Sequence, residues 1–138
     1  MSSLRYLLDT NIVSNIARHP KGLAAQRLMM VGARHVGVSI VVVCEIRFGL
    51  AKRPALRLEQ HLEQLLDDLS LLKLEPPVEE HYADIRNMLE RAGTSIGPND
   101  LLIAAHARAL KLTLVTDNAS EFSRVPGLAV ENWLIADV

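Results

Sequence analysis

Short apolar runs alternate with longer segments of mixed polarity along the chain. The runs predict buried strands at residues 4–8, 36–39, 113–116 and 129–133, with a further short strand candidate at 72–74. Helical spacing of apolar positions predicts helices at residues 10–17, 23–31, 40–52, 58–72, 82–89 and 97–110. Leucines mark the helix at 58–72, whereas the helix at 97–110 is apolar on nearly all sides. The latter pattern is typical of a central, buried helix.

Alternation of short apolar strands with helices favours an α/β fold. A parallel sheet covered by helices on both faces buries its strands completely, which explains why the strands show no polar alternation. In open sheets of this kind, functional sites gather at the carboxyl ends of the strands. Asp9 and Asp117 follow two of the predicted strands, so they mark the sheet edge where a site is expected.

Four acids lie next to apolar segments. Asp9 ends an apolar run, Glu45 lies inside the helix at 40–52, Asp100 opens the apolar helix at 97–110, and Asp117 follows the strand at 113–116. A carboxylate beside buried segments is costly unless it is paired or bound to a metal. Together they predict one shared acidic pocket, whose expected guest is a hard divalent cation held by oxygen ligands.

Two of these acids also have structural interpretations. Asp9 could be only a helix N-cap, although Thr10 and Asn11 could cap the same helix and make a third acceptor redundant. Glu45 could lie on an exposed stripe, but Arg47 already supplies a polar position on that helix.

The other two acids have alternatives as well. Asp100 would be favoured in a first helical turn by the helix dipole. Asn99 could cap that helix instead, which would leave Asp100 to point along the buried face. Asp117 is the least informative of the four, because turns are rich in Asp and Asn for backbone reasons.

Bulk composition limits the class of protein. The chain has 138 residues, predicted to form a single domain over 1–138, with 49% hydrophobic and 22% charged residues. A net charge of -1 argues against nucleic-acid binding through a broad basic surface. It leaves a nuclease open, because metal ions can supply the positive charge at a scissile phosphate.

Other classes lack their signals. The chain contains neither G-x-G-x-x-G nor a P-loop, so no nucleotide cofactor is expected. It has no apolar stretch of about 18 residues and no signal peptide, which predicts a cytoplasmic protein without a membrane span. The single Cys44 excludes an intramolecular disulfide and is expected to be a small buried residue. No histidine has a metal-type or triad-type partner at helical spacing, so all five are expected at the surface or loosely packed.

The acids and their flanking residues resemble the PIN-domain nucleases, and within them the VapC-type toxins of bacterial type II toxin–antitoxin pairs. The matching segments are Leu-Leu-Asp-Thr-Asn at 7–11, Glu-Ile at 45–46, Phe-Gly at 48–49, the specific run at 96–107, Leu-Val-Thr-Asp-Asn at 114–118 and Glu-Phe at 121–122. The resemblance spans almost the whole chain.

The resemblance implies a three-layer α/β/α sandwich with a central, mostly parallel sheet, and a Mg²⁺ or Mn²⁺ site that cleaves RNA. Asp9, Glu45 and Asp100 match the first three family acids. The fourth position is open between Asp117 and Asn118, because the family pattern is closer to Thr-x-Asp/Asn.

Residues beside the acids are expected to position the carboxylates. These supporting residues are Thr10, Asn11, Thr116 and Asn118. The resemblance also implies a VapB-like antitoxin as partner and a homodimer. The mean hydropathy of +0.17 agrees with an exposed apolar interface.

Two alternatives remain at this level. One is a phosphoryl-transfer protein of the receiver or haloacid-dehalogenase type, although those need an acid pair near the first strand or Asp-x-Asp, where this chain has Asp9-Thr10-Asn11. The other is a catalytically silent PIN-like scaffold that binds a partner protein. The intact acids Asp9, Glu45 and Asp100 count against the scaffold.

Overall fold

The computed structural model describes residues 3–136, and within that range the chain builds one five-stranded sheet. The strands are β1 Tyr6–Leu8, β2 Val36–Ser39, β3 Ser70–Leu72, β4 Thr113–Val115 and β5 Val130–Glu131. Their order across the sheet is β3-β2-β1-β4-β5, and each neighbouring pair is parallel. The predicted parallel sheet is confirmed.

Helices connect the strands. Those of the first two crossovers are α1 Thr10–Arg18, α2 Leu23–Val31, α3 Ile40–Lys52 and α4 Leu56–Asp68, with a short 3-10 helix at Ala33–His35. The later connections contain α5 Val78–Arg91, α6 Pro98–Ala109 and α7 Ala119–Phe122. Each of the first four strands is therefore followed by at least one helix before the chain returns to the sheet, as parallel pairing requires.

The strand order divides the helices between the two faces of the sheet. From β1 the chain moves outward to β2 and β3, and it then returns across the sheet to β4 and β5 on the other side of β1. Since parallel crossovers are right-handed, this reversal directs α1–α4 to one face and α5–α7 to the other. α1 packs on α4, and α5 packs on α6. The predicted three-layer α/β/α arrangement is thereby confirmed.

The core lies between the central strands and α6. Leu7, Leu114 and Ile103 are completely buried, as are Ala104 and Ala105 on the same helix. The prediction that the helix at 97–110 is buried is confirmed, and it positions whatever polar side chains that helix carries. None of the helices within residues 3–136 is long and apolar enough to cross a membrane.

The most consequential error in the predicted boundaries concerns the segment after α4. The leucine periodicity predicted a helix over residues 58–72, but α4 ends at Asp68 and Ser70–Leu72 form β3, two residues earlier than the predicted strand. Leu71 and Leu72 pair in register with Val38 and Ser39 of β2. Leucine at this spacing suits either element, so the pairing with β2 decided the outcome.

Candidate active site

The centre of the site is the junction between β1 and β4. Asp9 directly follows β1, and Thr116 directly follows β4, because Leu8 and Val115 are register partners at the ends of these strands. The Asp9 backbone N–H donates to the Val115 carbonyl at 2.8 Å, and the Thr116 hydroxyl donates to Asp9 Oδ2 at 2.8 Å. The side chain of Asp9 is thus fixed against the neighbouring strand.

Asp9 also caps α1. Its Oδ1 accepts the Thr10 backbone N–H at 2.7 Å, so among the three alternatives that the sequence left open the cap is Asp9, not Thr10 or Asn11. Asp9 as a whole is only 7% exposed. Burial raises its pKa, the hydrogen bonds from Thr10 and Thr116 oppose that rise, and the negative charges of nearby acids add to it. Capping and a functional role are therefore compatible in this residue.

Glu45 approaches the same junction from α3. The Thr10 hydroxyl donates to Glu45 Oε1 at 2.8 Å, and the Glu45 charge contributes to the raised pKa of Asp9. The glutamate is half-buried, whereas Arg47, two residues further on, is exposed and paired with Glu63 of α4. Glu45 therefore does not lie on the solvated stripe of α3.

Asp100 enters from the first turn of α6. The helix begins after Gly97 without a side-chain cap, and Asn99 is exposed, so neither Asn99 nor Asp100 takes the capping role that the sequence left open to them. Burial raises the pKa of Asp100, and the charges of Asp9, Glu121 and Glu45 add to the rise in that order, which brings the pKa to about 6. Asp100 is therefore within electrostatic range of three other carboxylates.

Glu121 is the acid that sequence reasoning missed. It lies on the short helix α7 and is held by the side-chain amide of Asn118, which donates to Glu121 Oε2. The charge of Glu121 raises the pKa of Asp100 more than the charge of Glu45 does. The available signal was its spacing of one helical turn from Asn118, which places both side chains on one face.

The two candidates for the fourth position differ in their surroundings. Asp117 is exposed, and its carboxylate accepts the Asn11 side-chain amide at 3.2 Å, while its charge raises the pKa of Asp9. Asn118 donates its backbone N–H to the Thr116 hydroxyl at 3.0 Å and its side chain to Glu121. The structure therefore brings all four predicted acids into one electrostatic neighbourhood, with Asp117 at its rim.

Comparison with known proteins decides the family. A model of the PIN domain matches residues 6–128. The chain belongs to the PIN-domain family. It is 37% identical over 130 residues to Ribonuclease VapC2 of Rickettsia felis, which covers 93% of this chain and 97% of the relative.

Further relatives define its group. The tRNA(fMet)-specific endonuclease VapC of Salmonella typhimurium is 31% identical over 134 residues, covering 94% of this chain and 98% of the relative. The crystal structure of VapBC2 from Rickettsia felis bound to a promoter DNA fragment superposes with a TM-score of 0.86 at 33% identity, covering 94% and 99% of the two chains. Within the PIN-domain family the chain belongs to the VapC ribonuclease toxins, as the sequence predicted.

The donor set of this PIN domain suits a hard cation. Its oxygens come from carboxylates, hydroxyls and amides, and among residues 3–136 no lysine or arginine forms an ion pair with Asp9, Glu45 or Asp100. In the described range no three acidic, histidine or cysteine side chains converge on one point as a ready-made cage. Mg²⁺ does not need such a cage, because it keeps several waters and binds through one or two carboxylates.

A second polar cluster lies at the end of the adjacent strand β2. The expectation that His106 is loosely packed was wrong, since it is 1% exposed and its Nδ1 lies 2.9 Å from the Ser39 hydroxyl. The Ser39 oxygen also accepts the Val41 backbone N–H at 3.2 Å as the cap of α3. Cys44 was expected to be buried, but it is exposed on α3. Both errors arose because α3 and α6 are apolar over most of their length. The spacing of apolar residues therefore could not show which positions of these helices face the core.

Proposed function

We propose that this chain is a divalent-cation-dependent endoribonuclease and the toxin of a type II toxin–antitoxin pair. The observation that carries the proposal is the electrostatic neighbourhood of Asp100, whose pKa is raised by the charges of Asp9, Glu121 and Glu45, without a basic partner of Asp9, Glu45 or Asp100 in the described range. Like charges gathered in this way raise their own pKa values, and a divalent cation would hold them ionised. Membership of the VapC ribonuclease group supports RNA as the substrate.

The residues divide into ligands and supports. Asp9 and Asp100 would hold Mg²⁺ or Mn²⁺, and Glu45 would complete the shell directly or through water. When bound, the cation supplies positive charge for the scissile phosphate and lowers the pKa of a water molecule. Thr116 fixes one oxygen of Asp9, and Thr10 fixes Glu45, so both carboxylates are oriented before substrate arrives.

The fourth position goes to Glu121 in this proposal. Its charge acts on Asp100, and Asn118 orients it, whereas Asp117 is exposed and engaged by Asn11. Asn118 would then be a supporting residue, and Asp117 would contribute negative charge at the rim. The sequence left the fourth site residue open between Asp117 and Asn118. In this proposal Glu121 takes that position, Asn118 orients it, and Asp117 lies at the rim of the site.

Exposed apolar side chains support a protein partner and a homodimer. Met29 and Met30 on α2 are 82% and 81% exposed, and Phe48 and Leu56 are exposed around α3 and α4. Such residues commonly mark interfaces. The VapBC2 complex of Rickettsia felis supports a VapB-like antitoxin, which would lay an amphipathic segment into an apolar groove. A toxin that cuts cellular RNA would act in the cytoplasm.

The decisive experiment is RNA cleavage by purified, metal-depleted protein. We expect no cleavage in chelator, cleavage after addition of Mg²⁺ or Mn²⁺, and no cleavage by Asp9→Asn under the same conditions. Substrates should include single-stranded RNA, DNA of the same sequence and initiator tRNA, since the Salmonella relative is named for that tRNA. Silence of the wild-type chain on every RNA would favour the scaffold alternative, and full activity of Asp9→Asn would remove that residue from the site.

Expression without an antitoxin tests the biological half of the proposal. We expect growth arrest by the unmodified chain and normal growth with Asp9→Asn at the same protein level. Sedimentation should show a dimer at micromolar concentration. Harmless overexpression together with a monomer in solution would overturn the toxin and dimer assignments while leaving the nuclease assay to be judged on its own.

A further inference from the structure

A cleft leads away from the acidic centre between α1, α3 and α4. It has a volume of about 480 Å³, and its lining includes Thr10 and Glu45 at one end. Arg18 and Arg53 lie on its walls, together with apolar side chains such as Ile46 and Leu58. Because Thr10 donates to Glu45, the cleft and the acidic centre share a wall and are continuous.

The two arginines of this cleft differ from the paired arginines of the chain. Among residues 3–136, neither Arg18 nor Arg53 forms an ion pair or a side-chain hydrogen bond. By contrast, a carboxylate lies within salt-bridge distance of each of four other arginines: Arg27, Arg47, Arg86 and Arg108. Two uncompensated guanidinium groups on one cleft give it positive charge beside a negative centre.

An RNA strand has to leave the acidic centre on at least one side of the bond that is cut. The carboxylates repel its phosphates, so the neighbouring nucleotides need positive charge to remain bound. Guanidinium groups bind phosphate oxygens in a bidentate manner, and apolar walls accommodate a sugar or a base face. The cleft offers both features next to Glu45, whereas a peptide partner would need a complementary acid for each arginine.

We propose that Arg18 and Arg53 bind backbone phosphates of RNA beside the scissile one, so that this cleft is the track of the substrate strand. The inference rests on the proposed endoribonuclease function. A structural explanation competes with it, because Arg18 lies in the last turn of α1 and Arg53 directly follows α3. Positive charge at these positions also stabilises helix C-termini. The two explanations predict changes in different measurements.

The test uses Arg18→Gln, Arg53→Gln and the double variant, with Arg5→Gln as matched control. Arg5 is an exposed arginine just before β1, at the opposite end of the sheet, and its side chain has no partner in the described range. Kinetics in Mg²⁺ should show KM for single-stranded RNA raised about tenfold by each single substitution, with kcat at saturating RNA unchanged. The control should match the wild-type chain.

Salt dependence provides a second readout. The dissociation constant of a fluorescent single-stranded RNA is measured by anisotropy in the Asp9→Asn background at several salt concentrations. Each lost phosphate contact should reduce the slope of log Kd against log salt by about 0.7. Thermal unfolding of each variant then separates the two explanations, because a role at helix ends lowers stability without changing that slope.

The possible failures are distinguishable. If the wild-type chain cuts no RNA, the proposed function fails, and the anisotropy slopes still judge the cleft. If the wild-type chain cuts RNA and both variants match Arg5→Gln in KM and slope, the phosphate track is wrong. If the variants bind RNA normally but lose affinity for the antitoxin, the cleft belongs to the protein partner and the inference is overturned.

Discussion

Two polar clusters lie side by side at the carboxyl ends of the central strands, and they solve the problem of burial in opposite ways. At β1 and β4, Asp9, Asp100 and their neighbours bring like charges together. At β2, Ser39 and His106 are buried even more completely, but each polar atom there meets a partner of opposite character. The carboxylates of the acidic cluster therefore repel one another, whereas the polar atoms of the Ser39–His106 pair are hydrogen-bonded and carry no net charge.

The Ser39–His106 pair has a complete set of hydrogen bonds. Ser39 accepts from the Val41 N–H and donates to His106 Nδ1, while the imidazole donates to the Lys73 backbone carbonyl. Burial lowers the pKa of His106, so the ring is neutral at neutral pH and brings no charge into the core. The pair connects α6, the start of α3 and the segment after β3.

The comparison teaches which kind of buried polarity indicates chemistry. A buried polar group with all its partners is a structural element, however unusual its residue type. Carboxylates that raise each other's pKa values, without basic partners in the described range, lower stability and need a ligand to offset that cost. Mutations can separate these two classes because the first should change stability and the second should change activity.

The largest effect is expected from Asp100→Asn. Cleavage of RNA should fall by more than about a hundredfold. Loss of a residue that only orients a metal ligand can cost up to about a hundredfold, and Asp100 is proposed as a ligand itself. Stability without metal should hold or rise, since one repelling charge is removed from beside Asp9 and Glu121. Steady-state cleavage and thermal unfolding in chelator measure the two sides. A variant that cuts RNA at the wild-type rate would falsify the assignment of Asp100.

Ser39→Ala should show the reverse pattern. It removes the cap of α3 and leaves His106 Nδ1 without its partner, which should lower the free energy of unfolding by about 2 kcal/mol. The cleavage rate of the folded protein should change less than about threefold, because neither Ser39 nor His106 is a proposed metal ligand. Loss of a metal ligand should slow cleavage far more than that. Urea unfolding checks the first value, with Ser95→Ala as an exposed control. Unchanged stability in Ser39→Ala would mean that the pair is not structural.

A smaller effect should rank the residues at the fourth position. Glu121→Gln should slow cleavage about tenfold and raise the Mg²⁺ concentration needed for half-maximal rate, while Asp117→Ala should have less effect. Asn118→Ala should fall between them, because it removes the amide that orients Glu121. A stronger loss for Asp117→Ala would return that residue to the ligand shell. Equal, small losses for all three would remove the whole segment from the site.

The smallest effect is a pair of opposite pH slopes in metal-free protein. The pKa of Asp100 is raised from 3.8 to about 6, so the folded state binds a proton that the unfolded state releases, and stability falls as pH rises through this window. The pKa of His106 is lowered from 6.5, so stability falls as pH drops below that value. Asp100→Asn should remove the first slope and His106→Gln the second, as measured by urea unfolding between pH 4 and 7. Identical pH profiles for both variants and the wild-type chain would contradict the assignment.

The sequence was most informative where a local pattern of residues is compatible with only one kind of structure. Apolar runs bounded by turns located β2 and β4, and the all-round apolar pattern identified α6 as central. Acids at strand ends led to Asp9 and Asp117 because parallel strands share one functional edge. These predictions depend on periodicity and topology, which a sequence carries directly.

Other features depended on contacts between distant segments. Leu71 and Leu72 fit a helix as well as a strand, and only pairing with β2 decided between them. His106 became a core residue because Ser39, 67 positions away, supplies its partner. Glu121 joined the acids through the placement of α7 beside Asp100. Apart from the spacing between Asn118 and Glu121, no local pattern in the chain contains that information.

Helix α6 carries both a charged site residue and a fold-determining one, Asp100 and His106, about 9 Å apart along its axis at 1.5 Å per residue. A cell that has lost its antitoxin can therefore escape through lesions in this one short helix by two distinct routes. A lesion at Asp100 would leave a folded chain that could still bind newly made antitoxin. A lesion at His106 would instead destabilise the fold and lower the amount of folded chain, so the two classes of survivor would differ in their response when an active copy of the gene returns.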